Sequence, residues 1–166
     1  METLRAVVTT LFLTAFAGAT PAFAQDASDP GRLRVEAQTG MITFVEDDID
    51  HLFAGGAGRF ALTRRLAVGP DVTYLQGPGA DRHVVMLGIL NVDLGPVSSR
   101  RRVQPYFLAG GGFGTDRMPT GRLRYGWLID VGGGARIAAG DRWYIAPEFR
   151  LGWGAHWRFG VAVGWQ

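Results

Sequence analysis

Arginines and carboxylates recur on one face of an alternating pattern along most of the chain. Charges of both signs on one surface can form a relay or selective pore for ions, or a network of ion pairs that fills an enclosed space. An unpaired buried charge is expensive, so opposite charges enclosed together are expected to pair. The pattern therefore favours a plugged polar interior over a conducting pore. The charged residues of this predicted network are Arg34, Glu36, Arg59, Asp71, Asp93, Asp130, Arg136, Glu148, Arg150 and Arg158.

The segment Glu46–His51 concentrates acidic side chains and ends in a histidine. Hard cations such as Ca²⁺ take several oxygen ligands from loops of this kind. The spacing is not that of an EF-hand, and the glycine of that motif is absent. We interpret the segment as a solvated loop tip, with a weak calcium site as the alternative.

The last part of the chain shows which elements position the charged face. Every second residue from Trp143 to Trp153 is apolar, and the same parity resumes from Trp157 to Trp165. Successive side chains of a strand point to opposite faces, so this segment is predicted to be a β-hairpin with one apolar and one polar face. An apolar stripe about ten residues long is typical of a membrane-spanning strand.

The same alternation predicts eight strands and an all-β fold, an eight-stranded antiparallel up-and-down transmembrane β-barrel. An even number of strands places both ends of the chain on one side of the membrane. The strands are expected near 32–43, 52–63, 66–74, 83–94, 103–113, 123–137, 143–153 and 157–165. The outer loops are expected near 46–51, 76–82, 115–121 and 154–156, and the opposite turns near 64–65, 95–102 and 139–141.

Aromatic residues are predicted to form a girdle at each end of the apolar face. Tryptophan favours the membrane–water interface because its ring is apolar and its N–H requires a partner. The predicted girdle residues are Tyr74, Phe113, Tyr125, Trp143, Trp153, Trp157 and Trp165. The alternative is a soluble barrel with the apolar face inside, which the terminal tryptophans disfavour.

The N-terminus reads as a secretory signal. Arg5 precedes an apolar run over residues 6–18, and Ala22-Phe23-Ala24 fits a small-x-small cleavage site. The run is short for a transmembrane helix, which needs about 20 residues. We therefore expect a signal peptide over 1–24, a short periplasmic lead over 25–31 and the barrel over 32–166.

Composition excludes several function classes. The chain of 166 residues has no cysteine, so it has neither disulfides nor thiolate chemistry. Its formal charge of +2 is too small to indicate nucleic-acid binding. The 25 glycines would weaken an ordinary sheet, but they relieve crowding inside a small barrel.

Two segments resemble small eight-stranded outer-membrane β-barrel proteins of the opacity and OmpA-like transmembrane type. Residues 103–114, VQPYFLAGGGFG, are similar to one strand of that group, and residues 127–137 followed by 141–150 are similar to a later hairpin. The resemblance implies a Gram-negative outer membrane, contact with its lipid and lipopolysaccharide, and recognition by the barrel insertion machinery. Trp165 is penultimate, whereas such barrels typically end in an aromatic residue. A monomer is favoured.

The function expected from these features is non-enzymatic, in envelope integrity or surface interaction, with no cofactor. A narrow channel for small or hydrophobic solutes is one alternative, and an outer-membrane lipid-modifying enzyme is another. A hydrolase needs a nucleophile beside a base. The predicted topology places the three histidines near the outer end and the serines of the mature chain at the opposite end.

Overall fold

The computed structural model describes residues 31–45, 49–79, 81–94, 102–117, 123–153 and 155–166. They form eight antiparallel strands, each paired with the next, and β8 pairs with β1 to close a barrel. The predicted all-β, eight-stranded antiparallel up-and-down barrel is confirmed. The strands are β1 (Leu33–Phe44), β2 (Ile49–Ala61), β3 (Leu66–Gln76), β4 (Arg82–Asp93), β5 (Val103–Arg117), β6 (Leu123–Ala138), β7 (Trp143–Trp153) and β8 (His156–Trp165). No helix in these ranges is long and apolar enough to cross a membrane.

The two ends of the barrel differ in their connections. The end at which β1 begins also carries the β2–β3, β4–β5 and β6–β7 connections, and we call it the turn end. The other end carries the β1–β2, β3–β4, β5–β6 and β7–β8 connections, and we call it the loop end. The expected signal peptide, 1–24, and the lead through residue 30 lie outside the described residues.

Strand alternation sorts the side chains of β7 as the sequence predicts. Phe149 and Leu151 are exposed on the outer face, whereas Tyr144, Ala146 and Arg150 are buried inside. Successive strand residues face opposite sides, so one apolar-polar repeat defines both surfaces of the barrel.

The predicted boundaries of β2 are wrong by two or three residues. The strand begins at Ile49, not near residue 52, because Phe44 pairs with Ile49 and extends the ladder toward the loop end. Asp50 and His51 therefore belong to a strand rather than to the expected loop 46–51. The Thr43 hydroxyl donates to the Asp50 carboxylate across this pair (2.6 Å). Residues 46–48 lie outside the described residues.

Prolines interrupt two of the strand ladders. The β2–β3 pairing skips the position of Pro70, and the β6–β7 pairing skips that of Pro147. Proline has no N–H to donate, so these gaps follow from its chemistry. At the first gap, the Arg59 guanidinium donates to the Pro70 carbonyl (2.9 Å) and the Gly58 carbonyl (3.1 Å).

Inward-facing glycines make room for large side chains on neighbouring strands. Gly164 lies opposite Tyr144 on β7, and a Cβ at Gly164 would overlap the tyrosine ring. Gly132 lies opposite Arg150, and a Cβ there would overlap the β7 backbone. These two glycines thus leave room for a tyrosine and an arginine in a narrow interior.

The interior divides into a polar part and an apolar part. Charged side chains occupy the turn end and the middle, mainly on β1–β3 and β6–β8. Apolar side chains line the interior along β4 and along the loop-end halves of β1–β3. The sequence pattern does not predict this division. The apolar side chains include Ile42, Phe53, Leu75, Val85, Leu87, Ile89 and Leu108, with Phe44 and Leu128 packed against them.

Candidate functional site

A group of charges at the turn end is held by β1, β4 and β6. The Arg136 guanidinium donates to the carboxylate of Asp93 and to the side-chain oxygen of Asn91. Arg34 lies 3.8 Å from the other Asp93 oxygen. Nearby, the Tyr144 hydroxyl donates to Glu36 (2.7 Å). This end of the interior is therefore filled with paired polar groups.

A second group converges on Asp71 in the middle of the barrel. Its carboxylate accepts hydrogen bonds from Arg150 (2.7 Å), Arg59 (3.2 Å) and Thr73 (3.1 Å), and also from Gln38. These donors lie on β1, β2, β3 and β7, so hydrogen bonds to one carboxylate link four of the eight strands.

Arg150 extends this group across the barrel. Besides Asp71, it donates to Glu148 and lies 3.8 Å from Asp130. Glu148 also accepts from the Tyr106 hydroxyl (2.9 Å). Arg59 lies 3.7 Å from Glu36, which belongs to the turn-end group. Polar contacts therefore connect the turn-end group with the group around Asp71.

All ten residues of the predicted charge network face the barrel interior. Five are arginines and five are carboxylates, and nine of the ten are buried, with Glu148 slightly more accessible. Nine of the ten contact an opposite charge, and this pairing offsets part of the desolvation of the enclosed ions.

Arg158 differs from the other interior arginines in its surroundings. It stacks over the Phe53 ring at 3.9 Å and donates to the Thr73 hydroxyl at 3.3 Å. Arg158 also lines a cavity of about 10 Å³, which has room for about one water molecule. Phe53 and Asp130 line the same cavity, which lies where the polar and apolar parts of the interior meet.

Several interior partners escape the sequence analysis as members of the network. Gln38, Thr73, Asn91, Tyr106 and Tyr144 all bond to charged side chains. Their strand parity matched the charged residues, and that parity was the available signal. A neutral donor or acceptor needs no counter-ion, so charge pairing alone does not predict which of these residues join the network.

The predicted girdle residues face outward where the structure describes their side chains. Trp143 and Trp165 are direct cross-strand neighbours at the turn end. Exposed or half-buried aromatics at the loop end and along the outer wall are Tyr74, Phe113, Trp153 and Trp157. Tyr125 occupies its expected place on β6, but its side chain lies outside the described part. Trp127, omitted from the girdle, is 84% exposed and belongs with this group.

The histidines lie at the loop end, as the predicted topology implies. His156 contacts Asp130 (3.0 Å), and His51 contacts Asp81 (2.7 Å). These imidazoles contact carboxylates, and the serines of the chain (28, 98 and 99) lie outside the described residues.

Comparison with known proteins identifies the architecture. The chain is similar to the N-terminal β-barrel domain of Pseudomonas aeruginosa OprF, with a TM-score of 0.66 and 14% identity over 82% of this chain and 97% of that chain. The fold is that of the eight-stranded outer-membrane β-barrels. Neisserial surface protein A (NspA) is also similar, with a TM-score of 0.63 and 10% identity over 80% of this chain and 94% of that chain. The predicted resemblance to small outer-membrane barrels is thereby confirmed at the level of fold.

Sequence comparison adds no closer relationship. No protein-family model matches the chain, and no curated protein matches it significantly. At 14% and 10% identity, the structural likeness extends to the fold and not to any activity.

Proposed function

We propose that this protein is an integral outer-membrane β-barrel with a plugged interior, which acts without enzymatic chemistry in envelope integrity or surface interaction. The observation that carries the proposal is the distribution of side chains, which is the reverse of that in a soluble protein: charges lie inside and apolar groups lie outside. Paired charges such as Asp71 and Arg150 are almost completely buried, whereas Phe107, Phe149 and Phe159 are exposed on the outer wall. A soluble protein rarely exposes so continuous an apolar surface.

The dimensions of the strands support a membrane location. The shortest strand, β8, has 10 residues, and β7 has 11. At about 3.3 Å per residue, a strand of this length extends about 33–36 Å. With a tilt of about 40°, it spans about 25–28 Å, which matches the apolar band of outer-membrane barrels.

The filled interior supports a plug rather than a pore. The ion pairs around Asp71 and Arg136 bridge strands on different sides of the barrel, and apolar side chains such as Phe53, Leu75 and Leu87 fill another part of the interior. The cavity beside Arg158 holds about one water molecule and offers no continuous water path by itself.

Its partners follow from this location. We propose contact with outer-membrane lipid and lipopolysaccharide, insertion by the barrel insertion machinery, export through cleavage of residues 1–24, and a monomeric state. Fractionation of cells expressing the chain, with N-terminal sequencing of the membrane-bound form, tests both location and cleavage. A soluble protein that retains residue 1 would contradict them.

Two measurements test the closed, plugged barrel. A chain folded in detergent should migrate differently on a gel before and after boiling, because a closed barrel resists detergent. In planar bilayers it should give no steady single-channel conductance. A reproducible conductance would instead favour the narrow channel for small or hydrophobic solutes.

The absence of enzymatic activity has its own test. Mass spectra of lipid A from cells with and without expression of the protein should be identical. A mass change that depends on expression would establish a lipid-modifying enzyme and overturn the non-enzymatic proposal.

A further inference from the structure

Two histidines and one aspartate meet at the loop end of the barrel, away from the central charge network. The Nε2 atom of His51 lies 2.7 Å from one Asp81 carboxylate oxygen, and the Nε2 atom of His83 lies 2.8 Å from the other. One ligand atom from each residue falls within 4.8 Å of the others. His51 comes from the start of β2, whereas Asp81 and His83 come from the β3–β4 connection and β4.

The surrounding structure fixes this arrangement. The Gly77 N–H donates to the Asp81 carbonyl (3.0 Å), and the Asp81 N–H donates to the Pro78 carbonyl (3.3 Å). These bonds close the backbone turn that carries Asp81. The Phe44 ring packs edge-on against His51 (5.3 Å between centroids) and is an apolar neighbour of the cluster.

The cluster is open on one side. His51 is 3% exposed, His83 17% and Asp81 30% on their side chains, so exposure increases toward the mouth. Gly77 lines the site, and a Cβ at this position would lie 2.5 Å from His51 Nε2 and 2.7 Å from an Asp81 oxygen. The space between the donors is thus kept free by the lack of a side chain.

We propose that His51, Asp81 and His83 form a binding site for a divalent transition-metal ion, with Zn²⁺ as the representative ion. Two imidazole nitrogens and one carboxylate are a ligand set that suits zinc, iron, nickel or copper. Water or a ligand from outside the barrel would complete the coordination, since the Asp81 side chain is 30% exposed. Calcium and magnesium prefer an all-oxygen set, so they should bind poorly.

The alternative is a simple hydrogen-bonded cluster in which Asp81 pairs with protonated imidazoles. The two models differ in stoichiometry and metal selectivity. A metal site binds one ion per barrel through the imidazole nitrogens and the carboxylate. A hydrogen-bonded cluster takes up no metal.

Calorimetric titration of the purified protein distinguishes them. The protein is prepared without a polyhistidine tag, folded in detergent, treated with a chelator and titrated with ZnCl₂ or CaCl₂. We expect one Zn²⁺ per barrel and no measurable Ca²⁺ binding at the same site. Cobalt substitution should add the visible absorption of a Co²⁺ ion bound to nitrogen and oxygen ligands. Absence of zinc binding would overturn the proposal.

Variants locate the ion on the proposed ligands. Asp81→Ala and His83→Ala should each weaken zinc binding by at least about 100-fold, because even groups that only orient a ligand are worth about 10–100-fold. Gly77→Ala should weaken it as well, although every donor is still present. Asp50→Asn is the matched control at the same end, and it should bind zinc like the parent protein.

The gel shift on boiling shows that each variant is folded. Folded Asp81→Ala or His83→Ala that retains full zinc affinity would show that the ion binds elsewhere, and the proposal would be wrong. These outcomes are independent of the barrel's role in the envelope, which the conductance and fractionation experiments address.

Discussion

Substitution of Asp71 by asparagine removes the charge at the centre of the barrel while leaving the side-chain volume nearly unchanged. The carboxylate has no exposed surface and accepts hydrogen bonds from Gln38, Arg59, Thr73 and Arg150. Asparagine retains one acceptor oxygen, but its NH₂ group is a hydrogen-bond donor. That group would face the N–H and O–H donors that now bond to the carboxylate. The variant therefore tests whether the interior is held by ionic pairing.

The expected cost follows from the partners that lose their counter-ion. Removal of one member of a buried ion pair costs about 3–5 kcal/mol. Arg150 retains Glu148, and Arg59 retains the Pro70 carbonyl, so neither arginine is left without a partner. We therefore expect a loss near the lower limit, about 3 kcal/mol in the free energy of unfolding.

Urea unfolding of the barrel in lipid vesicles, followed by tryptophan fluorescence, measures this loss. With a denaturant dependence of about 2 kcal/mol/M, the midpoint should fall by about 1.5 M. Asp50→Asn is the control, because Asp50 is exposed and lies outside the network. Its unfolding free energy should stay within about 0.5 kcal/mol of the parent value.

A double-mutant cycle with Arg150→Met separates pairing from packing. Residues in one ion-pair network couple by about 0.5–3 kcal/mol, whereas independent residues are additive. If Asp71→Asn leaves the midpoint unchanged and the two substitutions are additive, the central ion pairs do not stabilise the barrel and the reasoning is refuted.

Two further predictions use matched positions on the same barrel. Gly132→Ala should destabilise the barrel by about 1–3 kcal/mol because the new methyl group meets the β7 backbone, whereas Gly126→Ala, with open space around it, should be nearly neutral; equal unfolding midpoints would contradict this packing argument. Phe159 and Leu33 are both 53% exposed, but Phe159 lies in the middle of a strand and Leu33 at a strand end. In lipid vesicles Phe159→Arg should therefore cost about 2–4 kcal/mol and Leu33→Arg about 0–1 kcal/mol, and equal costs would argue against a membrane-embedded outer wall.

Tertiary contacts explain the errors in the sequence analysis. Ile49–His51 looked like part of an acidic loop, because three consecutive acidic or polar residues precede any clear alternation. Their strand conformation comes from pairing with Ile42, Thr43 and Phe44 on the previous strand. Boundaries of this kind depend on how far a partner strand extends, which a local pattern does not encode.

The sequence by itself determined the faces of the barrel. Alternation is a property of consecutive residues, so the inward position of Arg34, Asp71 or Arg150 followed from the local pattern of strand side chains. The number of strands and their antiparallel order followed from eight such patterns joined by short connections.

The tertiary structure decided which inward residues meet. Asp71 and Arg150 are 79 residues apart and come together only because closure of the barrel sets the stagger of every strand against the next. The same closure places Tyr144 beside Glu36, and it brings His51 against Asp81 at the mouth. Parity selects a face, but contact across the interior depends on the height of each residue along the barrel, and that height is fixed only when β8 pairs with β1.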